Sequence, residues 1–590
     1  MTSIPFIPDN APFSPEQRLW LNGYLAGLFS DATLAARALN GLAAAPAAPA
    51  KPLVLLFGSQ TGTAESLAKK ASKEAEKRGF KPKLVDMAKY ETVDLTKEEN
   101  VLVITSTYGD GDPPDNAQAF WNYLRADTAP PLAHLSFSVL ALGDTNYAEF
   151  CAFGKKCDER LEQLGAQRVH PRVDCDVDYD GPAKSWTDGV FAALASASNG
   201  ATAPAPSALA DAPAETGYSK KNPFPAHLLA NRPLNAAGSC KEVRHYEISL
   251  AGSGLSYEVG DALGVVPANC TELTGEILTA LGCDGEEAVK TPDGSETSLR
   301  LALAQHYDIT RPSADLLNAA AERGAGGGEL AALLDPARKS DLKKWLWGRE
   351  IIDVLDGLTP QFSAAEFIAL LKKLQPRLYS ISSSPKAHPD EVHLTIAAVR
   401  YDGHGRARKG VCSTFLADRC ADSTPVPVFV QTSHGFRLPE NGDTPVIMCG
   451  PGTGIAPFRA FLEERLATGA KGRNWLFFGD QKCATDFLYR EQLEGWVADG
   501  HLTRLDLAFS RDQAEKIYVQ NRMLEQAAEL FSWLESGAHF YVCGDASRMA
   551  KDVDAALHQI AETAGEMTKE AAAAYIQKLK SDKRYQRDVY

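Results

Sequence analysis

Short, continuous apolar runs alternate with helical patterns between residues 52 and 192. LVLLF (53–57), VLVIT (101–105) and FSVLAL (137–142) lack the two-residue alternation of a half-buried strand, and they predict parallel strands covered on both faces. Each run ends in a polar, glycine-containing loop followed by helical sequence. That is the pattern of a doubly wound α/β unit, whose ligands lie at the carboxyl ends of the strands. Between 217 and 440 the pattern changes. EVRHYEISL and VHLTIAAVRY alternate as antiparallel strands do, and about 271–375 reads as a helix-rich insertion. From 441 to 590, PVIMC, NWLFFG, RLDLAFS and HFYVCG restore the strand–helix alternation of a second α/β unit.

Two stretches without apolar period separate these parts. AAAPAAPA (43–50) predicts a linker over 43–51, and LASASNGATAPAPSALADAPAET (194–216) a flexible linker over 193–216. Residues 1–42 form an arm in which Ser14-Pro15 starts a helix. Its apolar stripe of Trp20, Leu21, Tyr24 and Leu28 needs burial, either on its own chain or by homo-oligomerisation.

Composition narrows the function. A net charge of −15 argues against nucleic acid, whose phosphates demand a basic face, and is compatible with docking onto a basic partner. The 11 cysteines show no CxxC and no paired zinc spacing, so no metal site is expected and a reducing cytoplasm is. No apolar run approaches the ~20 residues of a membrane span. The first 30 residues carry only Arg18 as a cation and no signal-peptide apolar region, so a soluble, unexported protein is expected.

The first candidate site is the loop Ser59, Gln60, Thr61, Gly62, Thr63 and Ala64, which follows a strand and opens a helix. Glycine admits close backbone approach, the hydroxyls donate, and the helix N-terminus favours an anion. The Gly-Lys-Ser/Thr of nucleotide triphosphatases is missing. A plain strand–helix turn would look similar, but the next two strands end in Ser106, Thr107, Tyr108 and Gly109, and in Leu142, Gly143, Asp144, Thr145, Asn146 and Tyr147, with Phe150 and Cys151 beyond. Either tyrosine alone reads as packing; as a pair at matching strand ends, Tyr108 and Tyr147 are placed to sandwich a flat ring. Residues 52–192 thus resemble flavodoxin and the FMN domain of diflavin reductases. The resemblance implies that Ser59 to Ala64 hold the FMN phosphate and that Ser106 to Gly109 and Leu142 to Cys151 surround its ring. The acidic run Asp174 to Asp180 reads equally as a solvated loop or as a docking face for a basic acceptor.

A second constellation is Arg377, Leu378, Tyr379 and Ser380, where Arg suits a pyrophosphate, Tyr a flavin face and Ser a ring acceptor. Gly410, Val411, Cys412 and Ser413 add backbone donors and a hydroxyl at a helix start. Together they resemble the FAD signatures of the ferredoxin–NADP reductase family. That implies a FAD β-barrel over 217–440 with the helical insertion, and adds Thr395, Ile396, Ala397 and Tyr401 to the FAD site.

In CGPGTGIAPFR (449–459), Gly452 and Thr453 supply close approach and a donor for a pyrophosphate, and the sequence matches the nicotinamide-domain motif of that family. Ser510, Arg511, Lys516, Ile517, Tyr518, Val519 and Gln520 offer cations, a hydroxyl and a ring to a ribose 2′-phosphate and adenine, so NADPH is preferred to NADH. By family resemblance YVCGDASRMAKD brings Cys543 beside the nicotinamide with Asp552 near the cofactor, and terminal Tyr590 covers the FAD ring. The same resemblance makes Ser380, Cys543 and Asp588 the catalytic residues that orient the nicotinamide.

With these motifs in order over 52–590, the chain is similar to the diflavin reductases, and among them to the flavoprotein α-subunits of assimilatory NADPH sulfite reductases. PFSPEQRLWLNGYLAG, SRDQ with KIYVQ, and RYQRDVY carry that likeness. It implies a multidomain α/β and β protein passing electrons from NADPH through FAD to FMN and on to a sirohaem, iron–sulfur β-subunit, for the six-electron reduction of sulfite to sulfide. Tyr108 in STYGDGDPPDN resembles the microsomal reductases instead. An electron donor to another haem protein, such as a monooxygenase, is the alternative; a non-catalytic flavin-binding module is a second.

Overall fold

The computed structural model describes residues 51–109, 111–145, 149–196, 217–356, 358, 361–420, 424–433 and 435–590. The arm with Trp20, Leu21, Tyr24 and Leu28, most of both expected linkers, and Asn146 and Tyr147 lie outside the described residues.

The first apolar runs form a parallel sheet in the order Phe80–Asp86, Lys51–Gly58, Asn100–Ser106, Ser136–Leu142, Gln167–Arg168, with Val173–Cys175 also on Ser136–Leu142. Side chains alternate between its faces. Leu53, Leu55, Phe57, Leu102 and Ile104 pack with Trp186 on one side, while Val54, Leu56, Val101 and Val103 pack with Phe120 and Phe153 on the other. Two cores explain why these strands read as unbroken apolar runs. Chain direction switches between Lys51–Gly58 and Asn100–Ser106, and a crevice opens at their carboxyl ends.

Helix Asp180–Ser196 continues past the expected domain end at 192, so residues 193–196 are helical and not linker. The sequence LASAS is Ala-rich and helix-compatible, and Leu194 is buried against the first core, which holds the last turn in place. At the other boundary the first strand already begins at Lys51.

The alternating segments build two antiparallel sheets. One orders Arg377–Ser380, Ala262–Val265, Val426–Gln431 and Phe224–Ala226; the other orders Glu391–Ala397, Val243–Ser249 and Leu228–Pro233. Ile381 bridges to Leu394, and Ala226, Tyr246, Ile248, Leu263, Ile381, Leu394 and Val428 share the barrel core. The insertion is a separate helical layer around Ile277, Leu299, Leu316, Leu330, Ile351 and Phe367.

The last unit is a parallel sheet ordered Arg504–Phe509, Asn474–Asp480, Val446–Cys449, His539–Gly544, Tyr585–Val589. Alternation again divides the strands, with Val446, Met448, Leu476 and Phe478 facing one core and Ile447, Trp475 and Phe477 the other. Its direction switch lies between Val446–Cys449 and His539–Gly544. No described helix is long and apolar enough to cross a membrane.

Candidate functional site

At the first switch point Gly62 takes a left-handed φ of 87° and opens helix Thr63–Lys77, so the loop's backbone turns toward the crevice. The Ser59 amide donates to Asn116 Oδ1 at 2.9 Å, and Asn116 Nδ2 donates to Asp86 at 2.9 Å. Gln60 and Asp115 exchange two bonds, 3.1 Å from Gln60 Nε2 and 3.0 Å from the Asp115 amide. Thr61 and Thr63 hydroxyls stand 3.4 Å apart, and Ala64 is buried below them. The hydroxyls of Ser59, Ser106 and Tyr108 are buried without a protein partner. Orphaned donors around a helix start fit a phosphate ester and a polar ring edge. Asp86, Asp115 and Asn116, which brace this loop, escaped the sequence reading; the signal was the Asp115-Asn116 pair closing STYGDGDPPDN.

Thr107 caps helix Ala152–Gln163 by accepting from the Phe153 amide at 3.1 Å. Tyr108 closes a turn with Asp112 across Gly109. Its ring lies against the Arg587 guanidinium at 5.8 Å, and burial pushes its phenol up to about 12. The expected sandwich with Tyr147 rests on a residue outside those described. Leu142 ends its strand, Gly143 leaves no room for a Cβ beside the Cys151 amide, and Asp144 and Phe150 are half-buried. Thr145 donates through its amide and hydroxyl to Asp176, at 3.0 and 2.6 Å. Cys151 is buried with its thiol pushed up to about 12, so it stays protonated. The acidic run is engaged within the chain: Asp174 pairs with Arg172 at 2.7 Å, Asp178 with Lys373 at 3.2 Å, and Asp180 with Lys221 at 3.1 Å.

In the barrel, Arg377 and Tyr379 share one face of their strand, while Leu378 and Ser380 share the other. Gly410 has no space for a Cβ, which would meet Ser413 Oγ at 2.7 Å; that close approach lets Ser413 accept from the Val399 amide at 3.1 Å. Val411 and buried Cys412 begin the next helical turn, and burial pushes the Cys412 thiol up to about 12. Tyr401 and Ala397 are exposed, Ile396 belongs to the barrel core, and the Thr395 hydroxyl meets Tyr489 at 2.6 Å. Thr395 and Ile396 therefore spend their side chains on the protein, leaving their backbone and Ala397 for a ligand.

At the second switch point a Cβ on Gly454 would meet the Cys543 carbonyl at 2.2 Å, so glycine lets the loop cross the neighbouring strand end. Gly452 holds a φ of 58°, and Thr453 shares a hydrogen bond of 2.9 Å with the Tyr590 hydroxyl. Arg511, Lys516 and Tyr518 are exposed together beyond strand Arg504–Phe509, a cationic and aromatic rim suited to a phosphate and a ring. Ser510 is anchored to the Asp480 carbonyl, Ile517 and Val519 pack inward, and Gln520 donates to Asp552 at 3.2 Å.

Three distant segments then meet. Ser380 donates to Asp588 Oδ2 at 2.6 Å, and the Cys543 thiol points to the same oxygen at 3.9 Å. Cys543 and Asp588 are register partners on adjacent parallel strands. Burial raises the Asp588 carboxyl above its ordinary range, against the lowering by Ser380 and Cys543; burial also holds the Cys543 thiol well above its own. Tyr590 is not frayed: its amide donates to the Gly544 carbonyl at 3.0 Å, and its ring is 62% exposed beside the cluster.

Family models match in the same order: flavodoxin over 55–186, FAD binding domain over 217–415, and oxidoreductase NAD-binding domain over 448–555. Together with the strand-end loops they define a diflavin oxidoreductase using FMN, FAD and NADPH. The chain is 49% identical to a Bacillus subtilis (strain 168) sulfite reductase (NADPH) flavoprotein alpha-component, over 97% of this chain and 95% of that protein. It is 44% identical to the proteins of that name from Vibrio cholerae El Tor (98% and 93%) and Neisseria meningitidis serogroup C (97% and 95%). The chain belongs to the family of NADPH sulfite reductase flavoprotein alpha-components.

Proposed function

We propose that this chain draws electrons from NADPH and delivers them to a sirohaem, iron–sulfur haemoprotein β-subunit that reduces sulfite to sulfide. The convergence of Ser380, Cys543 and Asp588 near Thr453 and Tyr590 supports its NADPH side most directly, and the likeness to the flavoprotein alpha-components over nearly the whole chain supports its acceptor. When bound, the cofactors supply the redox chemistry: NADPH gives two electrons to FAD, and FMN releases them one at a time. The protein supplies position and charge. Ser380 and Cys543 hold the nicotinamide edge, with Asp588 accepting from both. Arg511 and Lys516 bind the 2′-phosphate, and Arg377 the FAD pyrophosphate. Ser59 to Ala64 bind the FMN phosphate. Tyr590 covers the FAD ring and moves aside for the nicotinamide.

The FMN, FAD and NADPH domains are assigned to 51–196, 217–440 and 441–590. All eleven cysteines are unpaired, which supports a cytoplasmic location. The arm at 1–42 is assigned to homo-oligomerisation; a sedimentation mass of one chain per particle, with and without the arm, would exclude that role.

The deciding experiment is NADPH-driven sulfide production from sulfite by the purified chain with a sirohaem reductase subunit, with cytochrome c as control acceptor. Sulfide formation is expected. Cytochrome c reduction without sulfide would retain the reductase and reassign its partner.

A further inference from the structure

Tyr489 entered above only as the partner of the Thr395 hydroxyl, yet its backbone is held in the left-handed region at φ 55°, ψ 29°. A bulky aromatic residue adopts that conformation only where its surroundings impose it. Its ring is buried, and its hydroxyl meets His245 Nδ1 at 2.8 Å and Thr395 Oγ1 at 2.6 Å. Both partners belong to the barrel, on the adjacent strands Val243–Ser249 and Glu391–Ala397. Arg459 stacks over the same ring at 5.1 Å, donates to the Ser382 carbonyl at 2.6 Å and pairs with Glu463 at 2.7 Å.

Arg459 lies on helix Ala456–Ala467, which grows directly from the Gly452-Thr453-Gly454 loop. Ser382 lies two residues beyond Ser380, and Thr395 starts the other expected FAD segment. The Tyr489–Arg459 pair therefore ties both FAD-side segments to the element that carries the nicotinamide loop. The neighbouring imidazoles serve the same frame. His245 faces Glu247 at 3.1 Å through its second nitrogen. His393 faces Glu391 at 3.2 Å and Arg459 at 3.4 Å. With an arginine aimed at His393 Nδ1 and a phenol at His245 Nδ1, these rings act as hydrogen-bond links between domains and not as ligands for a cation.

We propose that Tyr489 is a positioning residue for FAD reduction: its hydroxyl, acting through Thr395, fixes where the FAD ring meets the nicotinamide. This rests on the reductase function proposed above. Small displacements of reacting groups have large kinetic effects, about a hundredfold for 1 Å, so partial release of one strand is expected to slow the step about tenfold.

The test uses the full-length chain loaded with both flavins. In Tyr489→Phe, which keeps the ring and its packing, single-turnover reduction of FAD by NADPH should slow about tenfold, while NADP+ affinity by titration stays within twofold. Thr395→Val should slow the step similarly, and the double variant should be no slower than either. In cofactor-free protein, the same two substitutions should lower the melting temperature non-additively. A wild-type rate of FAD reduction in Tyr489→Phe, or fully additive effects in the double variant, would overturn the proposal. Wild-type protein whose flavins NADPH fails to reduce would instead overturn the reductase function itself.

Discussion

On the proposed function, the chemistry of the second switch point turns on Asp588. It accepts from Ser380 at 2.6 Å, and burial keeps the neighbouring Cys543 thiol protonated as the weaker second donor. Replacing Ser380 and Cys543 together by alanine removes both groups without unfolding a strand. Single-turnover FAD reduction should then fall about a hundredfold, in the range of other positioned polar groups, while NADPH binding changes little. An unchanged rate in stopped flow would remove these side chains from the mechanism. Because burial raises the Asp588 carboxyl, its charge is lost at higher pH than the ordinary value of about 3.9. The acid limb of the FAD-reduction rate should therefore lie above that value and be missing from Asp588→Asn; an acid limb unmoved by the substitution would assign it to another group. In the first crevice, Ser59→Ala removes one orphaned donor and should weaken FMN about tenfold, measured by fluorescence titration of the FMN-depleted protein.

At the scale of elements, the junction between barrel and nicotinamide-side sheet carries its own pH dependence. Burial, reinforced by Arg459, lowers the folded His245 and His393 imidazoles to about 2 and about 3. Unfolded histidine titrates near 6.5. The unfolded chain thus binds protons first as pH falls, so the stability these rings contribute is present above about pH 6.5 and is lost on descending toward about 3 for His393 and about 2 for His245. The melting temperature should fall across that window, and His393→Gln should flatten the fall; equal slopes in both proteins would refute the assignment. This junction was invisible in the sequence. HYEISL and EVHLTI announce strands, but period two does not say which domain covers a strand's outer face. The strands themselves were legible because each α/β sheet buries both faces and so writes an unbroken apolar run. The strand-end loops stood out because Gly, Ser, Thr and Tyr gather there, the residue types that phosphate and ring binding would demand. Tyr489 is an ordinary residue type in ordinary sequence, and Arg459 closes the CGPGTGIAPFR motif without showing what it meets; only tertiary proximity gives them a role. Helix Asp180–Ser196 overran the expected linker for the converse reason: an Ala- and Ser-rich composition suits a linker and a helix alike, and the burial of Leu194 decides between them.

At the scale of the molecule, the C-terminal strand Tyr585–Val589 touches all three units. Asp588 reaches Ser380 of the barrel, and Tyr590 lies beside Thr453. Arg587 pairs with Asp115 of the first domain beneath the Tyr108 ring. Asp115 also holds Gln60, so one carboxylate joins the proposed FMN loop to the strand that carries Asp588. Other pairs between the first domain and the barrel domain, Asp178 with Lys373 and Lys220 and Asp180 with Lys221, are much more exposed and contribute little. Arg587 and Asp115 are largely covered, so their pair is the stronger tie, of the order of 1 kcal/mol, or about a fivefold bias toward the docked arrangement. On the proposed function, electron delivery to an outside protein requires the FMN edge to be reached, and this docking partly covers the Tyr108 ring assigned to that edge. Arg587→Ala should therefore speed cytochrome c reduction by a few fold and slow electron equilibration between the two flavins, with FMN content unchanged. Raising ionic strength should move the wild type in the same direction and the variant less, since the screened pair is already gone. If the substitution leaves cytochrome c turnover and its salt dependence as they were, the docked arrangement is not held by this pair, and the covering of Tyr108 must be released by other contacts.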